Sequence, residues 1–291
     1  MSKRDSLSVH SLNIHPTAIV HPGAELARGV EVGPFCLVGE HVKLGEGTRL
    51  LANVVINGHT TVGKHCEFHP FCVVGATSQD KKYRGEVSEV RIGDRNVIRE
   101  FVTIHRGTGE GSETTIGSDN LLLAYVHIAH NCHIGNHVVM SNSSQLAGHV
   151  SVEDYAGIGG MVGVHQFVRI GKMSFIGGYS KLLKDVPPFF MIQGNPGFVR
   201  GLNIEGMKRR GVARQAVNEL KEAYRQLYRS EDRRSAVLSD LRKSLSTSEG
   251  RELVDFFMQP TDRGIVTRPA ARRRRANNGH AGAAVDTFDE T

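Results

Sequence analysis

The chain has 291 residues, a formal net charge of +6, four cysteines and no tryptophan. So few cysteines exclude a disulfide-framed scaffold, and no stretch reaches the ~20 apolar residues of a membrane-spanning helix. Segment 1–11 is short, polar and without the apolar run of an export signal, so a cytoplasmic location is expected.

Over residues 14–182 the sequence repeats with a period of six. Bulky apolar residues stand at Ile14, Val20, Leu26, Val32, Val38, Leu44, Leu50, Ile56, Val62, Phe68 and Val74. The same phase resumes at Ile92, Ile98 and Ile104, and again at every sixth residue from Ile116 to Leu182. Four residues after each comes a small or β-branched one, as at Ala18, Val30, Cys36 and Thr48. A fixed six-residue period is a parallel β-helix signature, because one coil cannot bury its apolar side alone. Three hexads close a triangular coil of eighteen residues, so residues n and n+18 become vertical neighbours. Cys36, Cys66, Cys72 and Cys132 all fall in the small-residue slot, which reads as buried packing.

Two segments, 79–90 and 107–115, place Asp80, Glu86 and Glu110 where the pattern asks for apolar residues. They are predicted to be loops lifted from the coil, where function tends to sit. After residue 184 the pattern changes. DVPPFFMIQGNPG is a connector punctuated by proline and glycine. Helical spacing follows at Ala213, Ala216, Val217, Leu220, Ala223, Tyr224 and Leu227, and two more helices are predicted over 235–245 and 251–258. The expected division is therefore a β-helix domain over 1–190 and a small α-helical domain over 191–262. A tail over 263–291, Arg-rich at 268–275 and then acidic, is expected to be disordered.

The eighteen-residue rule applies without interruption to the central stretch. His130 lies under Gly148, and Gly148 under Gln166; His149 and His165 flank that column and His127 precedes it. Two readings stand. One is a scatter of surface histidines on a chain that has 15 of them. The other is a histidine base beside a glycine N–H, the pair that acyl transfer needs: one deprotonates a nucleophile, the other holds the developing oxyanion.

The strings QDKKYRGE (79–86), VTIHRGT (102–108), HIAHNC (127–132), LAGHVSV (146–152), GGMVGVHQF (159–167), QGN (193–195) and NIEGMKRRG (203–211) resemble the UDP-N-acetylglucosamine acyltransferases, in register over about 12–260. The resemblance implies an all-β left-handed parallel β-helix with a C-terminal helical domain. Its handedness is an exception to the usual right-handed crossover. It also implies a homotrimer with sites between subunits, and transfer of a 3-hydroxyacyl group from the phosphopantetheine of acyl carrier protein. The acceptor is the glucosamine 3-hydroxyl of UDP-N-acetylglucosamine, in the first step of lipid A synthesis. No tightly bound cofactor or metal is implied, and neither nucleic acid nor a membrane span.

By the same resemblance His130 is the general base and the Gly148 N–H the oxyanion hole. Asp80, His105, His127 and His149 surround the sugar, with Lys82 from the same loop as Asp80. His165 and Gln166 meet the nucleotide, and Asn203, Glu205, Arg209 and Arg210 complete the UDP site. Gly178 is the acyl-chain ruler, open for a longer chain. The basic residues of the helical part suit an acidic carrier protein. There are departures: Asn131 stands where relatives carry Asp, and Tyr125 and Val126 replace smaller or more polar residues. Three rivals are an N-acyltransferase on a UDP-amino sugar, an acetyl-CoA-dependent transferase, and a γ-carbonic-anhydrase-like zinc enzyme using HIAHNCH. The first carries an added N-terminal domain, for which the early start of the repeat leaves no room. The second lacks the NIEGMKRRG segment and the first loop. The register of His127, His130 and His133 speaks against the third.

Overall fold

The computed structural model describes residues 13–229 and 233–268. Each hexad supplies a two-residue strand and a corner. Two residues per hexad point inward, the bulky apolar one and the small one two before it. Val30 and Val32, Cys36 and Val38, and Val42 and Leu44 are buried in this way. Strands pair in parallel at the eighteen-residue spacing, Leu37 with Val55 and Val55 with Val73. Every third strand joins the same sheet, giving faces of 11, 9 and 8 strands. The coil is a left-handed parallel β-helix with its apolar core along the prism axis.

The corners explain which side chains the outside carries. Eighteen described non-glycine residues have φ between 52° and 68°, nearly all at the third position after the inward apolar residue. None is Val, Ile or Thr, because a branched Cβ clashes in that region. The side chains there splay outward and stack, as in Phe71–Phe101–Tyr125 with centroids 5.0 and 4.8 Å apart. The residue just before each such corner keeps its N–H out of the strand ladder. Pro34 and Pro70, before Phe35 and Phe71, occupy this slot, which only an unused amide allows.

Both loops leave the edge between the second (9-stranded) and third (8-stranded) faces. Thr103 pairs with Val73 and His127 with Thr103, so the first loop adds twelve residues to the coil and the second adds six. Both end earlier than expected. Strands resume at Glu89–Ile92 and Glu113–Ile116, because Val90 and Thr114 already fill inward slots. The loops brace one another. The Ser78 and Thr108 hydroxyls are 2.6 Å apart, and Ser88 Oγ donates to the Gly107 carbonyl at 2.7 Å. The Glu86 carboxylate accepts the N–H groups of Gly109 and Arg84, which hold its carboxyl below the usual range.

The connector after residue 184 is not irregular throughout. Phe190–Gln193 extends the first face, pairing Met191 with Phe175, then turns back antiparallel to Phe198–Leu202. Phe190 and Ile192 alternate inward, so this strand crosses the boundary expected at 190. Helices α1 (Ile204–Arg209), α2 (Arg214–Arg229), α3 (Arg234–Ser244) and α4 (Ser248–Met258) follow. None is long and apolar enough to cross a membrane. The tail also differs from expectation at its start. Ile265 and Val266 are buried, and the backbone of 264–266 hydrogen-bonds to Asp185 on both sides. The remainder of the expected disordered tail, 269–291, lies outside the described residues.

Candidate active site

The strand ladder His127–Gln145–Gly163 carries its register into the corner that follows. His130, Gly148 and Gln166 therefore stand above one another. A Cβ at Gly148 would fall against Cε1 and Nε2 of the His130 imidazole. Only glycine lets the ring lie over the backbone there. Gly148 occupies the slot whose amide the ladder leaves unused, and among the described residues its N–H has no hydrogen-bond partner.

The second loop determines which imidazole nitrogen is free. The Thr108 N–H donates to Asn131 Oδ1 at 2.9 Å, which identifies that amide atom as oxygen. His130 Nδ1 lies 2.8 Å from the same oxygen and must carry the proton of that hydrogen bond. Nε2 is left with its lone pair, over Gly148 and 3.8 Å from Asp80 Oδ2. Asp80 is held in turn by the Lys82 N–H, which donates to Oδ1 at 3.0 Å. Asn131 thus does without charge what an aspartate would do with it, as far as the tautomer is concerned.

The neighbouring histidines are kept neutral. His105 Nδ1 donates to the Thr77 carbonyl at 2.7 Å, and burial lowers its pKa. His127, with Nδ1 2.7 Å from Thr103 Oγ1, is pushed to about 4, chiefly by burial and then by the charges of His105 and His130. Burial also lowers His149, which meets His130 edge-on at 5.2 Å and stacks on Phe167 at 4.6 Å. A histidine depressed in the native state is protonated more readily in the unfolded chain. Stability contributed by a neutral His127 is therefore complete above about pH 6.5 and lost as pH falls toward about 4. The His127→Gln protein should lose less melting temperature between pH 7 and pH 4.5 than its parent. Thermal melts across that range check this, and parallel losses would refute it.

A cleft of about 850 Å³ opens at this column. Asp80, His127, His130, Gly148, His165 and Gln166 line it. Lys82, His105, His149 and Gly178 are not among its lining residues. Spacing alone did not single out Gln145, Gly163 and Lys181, yet all three stand in the His127 column, one, two and three coils on by the same eighteen-residue rule. Asn195 comes from the connector, with no signal in the repeat. Arg263, placed in the tail by composition, donates through Nε to the Gln166 carbonyl at 2.8 Å.

Asn203, Arg209 and Arg210 are elsewhere. They line a second cleft of about 360 Å³ against His137, Tyr155 and Phe175, on the first face and its edge with the third. Asn203 caps α1 through Oδ1 to the Gly206 N–H and donates from Nδ2 to the Met173 carbonyl, so its amide is engaged within the chain. Glu205 is not among the residues lining this cleft. Neither arginine pairs with a carboxylate among the described residues, and both remain available to an anion. The two clefts therefore lie on different faces of one chain.

The wider comparisons agree with this architecture. The bacterial transferase hexapeptide model matches 41–76 and 113–148, and the second-domain model of UDP-N-acetylglucosamine O-acyltransferase matches 185–266. A solved UDP-N-acetylglucosamine acyltransferase is 42% identical, covering 89% of this chain and all of its own, with a TM-score of 0.85. The chain belongs to the UDP-N-acetylglucosamine acyltransferase family. The Moraxella catarrhalis O-acyltransferase is 40% identical over 87% of this chain and 99% of its own, with a TM-score of 0.82. The Francisella novicida acyltransferase is 36% identical over 92% and 100%, with a TM-score of 0.85. Among the described residues of this acyltransferase, no three His, Cys, Asp or Glu side chains converge to hold a metal. His133 of the HIAHNCH string sits on the third face, with Nδ1 2.9 Å from Thr115 Oγ1.

Proposed function

We propose that this chain transfers a 3-hydroxyacyl group from acyl carrier protein to the glucosamine 3-hydroxyl of UDP-N-acetylglucosamine, opening lipid A synthesis. One observation carries the mechanism: the His130 Nε2 lone pair lies over Gly148, whose N–H is unpartnered. The sugar hydroxyl gives its proton to Nε2 and its oxygen attacks the thioester carbonyl. The carbonyl oxygen takes up negative charge and receives the Gly148 N–H. Collapse breaks the carbon–sulfur bond, and the phosphopantetheine thiolate takes the proton back from His130. The step needs no tightly bound cofactor.

Asp80 and neutral His127 orient the sugar, with His105 and His149 supporting from behind and Lys82 at the loop surface. His165 and Gln166 meet the nucleotide. Arg209 and Arg210 grip the diphosphate, as arginine forks do well. Asn203 and Glu205 belong to the segment that positions them. These residues serve one acceptor only if a second copy brings its first face against the second face of the first. A closed ring of three satisfies that requirement. The exposed Phe71–Phe101–Tyr125 column suits such a contact. The acyl chain then runs from Gly148 past Gly163, where a Cβ would meet nothing within 4 Å, toward Tyr179 and Asn195. Gly178, beside Tyr179, would set how long a chain fits. The basic surface of the helices would receive the acidic carrier, in the cytoplasm.

The test is direct transfer by purified protein, with UDP-N-acetylglucosamine and a panel of 3-hydroxyacyl carrier proteins, read by mass spectrometry. Acylated sugar nucleotide supports the reading, and the best donor measures the chain length. No product from folded trimer with any donor rejects it.

A further inference from the structure

We infer that Tyr155 is the platform that holds Arg210 in place for the sugar-nucleotide diphosphate, setting acceptor affinity apart from the transfer chemistry. This rests on the acceptor reading above. Tyr155 occupies a corner between the third and first faces with φ 62°, which throws its side chain outward. His137, eighteen residues earlier, stacks on its ring at 4.6 Å with the planes 2° apart. The Arg210 guanidinium lies over the ring at 4.2 Å. Below them Asp119 stands 3.9 Å from His137 and is itself gripped by Arg95 through two hydrogen bonds of 2.7 and 2.8 Å. The ring is thus braced from beneath by a column that ends in an ion pair.

Arg210 needs such a support. It follows the last residue of a six-residue helix, and no carboxylate pairs with it among the described residues. A free arginine side chain loses much rotational freedom when it closes on an anion, and a guanidinium already lying on an aromatic face loses less. The ring also leaves the guanidinium edge, with its donors, exposed to the cleft of about 360 Å³ beside it. Tyr155 is therefore a positioning residue: it acts through Arg210, and the aromatic face matters where the hydroxyl does not.

The experiment uses the full-length trimer and two readouts, calorimetric binding of UDP and steady-state kinetics with UDP-N-acetylglucosamine. Tyr155→Asn removes the ring with a residue that tolerates the left-handed corner, Tyr155→Phe keeps the ring, and Arg210→Gln is the reference. Tyr155→Asn should weaken UDP about tenfold and raise KM to match, with kcat within about twofold. Tyr155→Phe should behave as the parent. The double variant should be no weaker than Arg210→Gln alone, because both changes remove one interaction. Parent-like binding by Tyr155→Asn while Arg210→Gln is impaired overturns the platform and leaves the acceptor reading standing. Failure of Phe to rescue, or additive losses in the double variant, also overturns it. Unchanged UDP binding by Arg210→Gln removes the acceptor role of Arg210 and the platform with it.

Discussion

Replacing His130 by alanine should lower kcat by about 10²–10⁴-fold, the usual worth of a positioned general base. The melting temperature should hardly move, since the imidazole lies at an outward corner and its main partner is the adjacent Asn131. No neighbour can take over. Asp80 is the nearest carboxylate, but its Oδ1 is already held by the Lys82 N–H and its other oxygen lies 3.8 Å from Nε2. His127 and His149 are the nearest imidazoles, and burial makes both weak bases. Activity within tenfold of the parent would mean that proton transfer is not the work of His130. The companion variant Asn131→Asp tests the uncharged support. A carboxylate beside Nδ1 stabilises the imidazolium, so the pH at which activity falls on the acid side should move upward. An unshifted pH–rate profile would show that residue 131 does no more than hold the ring.

The largest stability loss should come from Asp185→Ala, about 3 kcal/mol, as for breaking a buried ion pair by deleting one partner. Asp185 is fully buried, and its two oxygens accept the Arg169 N–H at 2.9 Å and Nε at 2.8 Å. The same guanidinium donates to Gln259 at 2.7 Å and lies over Phe256 at 4.5 Å, which ties α4 to the coil. Without the carboxylate, the Arg169 backbone N–H and Nε lose their acceptors together. For a chain of this size the melting temperature should fall by roughly 5–10 °C. Asp185→Asn should recover part of the loss, because one amide oxygen still accepts the Arg169 N–H. Denaturation of the three proteins side by side measures it, and an Asp185→Ala protein as stable as the parent would show the pair to be dispensable.

The sequence by itself determined the coil and the central column of the candidate site. A six-residue period can be satisfied only by strands stacked at one spacing, so it places His130, Gly148 and Gln166 in one column before any contact is known. It also sets the inward slots, which is why Val90 and Thr114 end the two loops where they do. The strand Phe190–Gln193 was hidden by the prolines before it, although its own alternation of buried and exposed residues is plain once seen. Tertiary structure alone decided the rest. Thr108 reaches Asn131 across 23 residues, Asp80 approaches His130 from the other loop, and residues 264–266 return to Asp185. Such contacts depend on how loops close over a finished scaffold, where hydrogen-bond geometry selects the partner and no period records it. The separation of Arg210 from His130 has the same origin: the repeat orders residues along the coil, and the face on which the helices dock is chosen by the packing of side chains far apart in the chain.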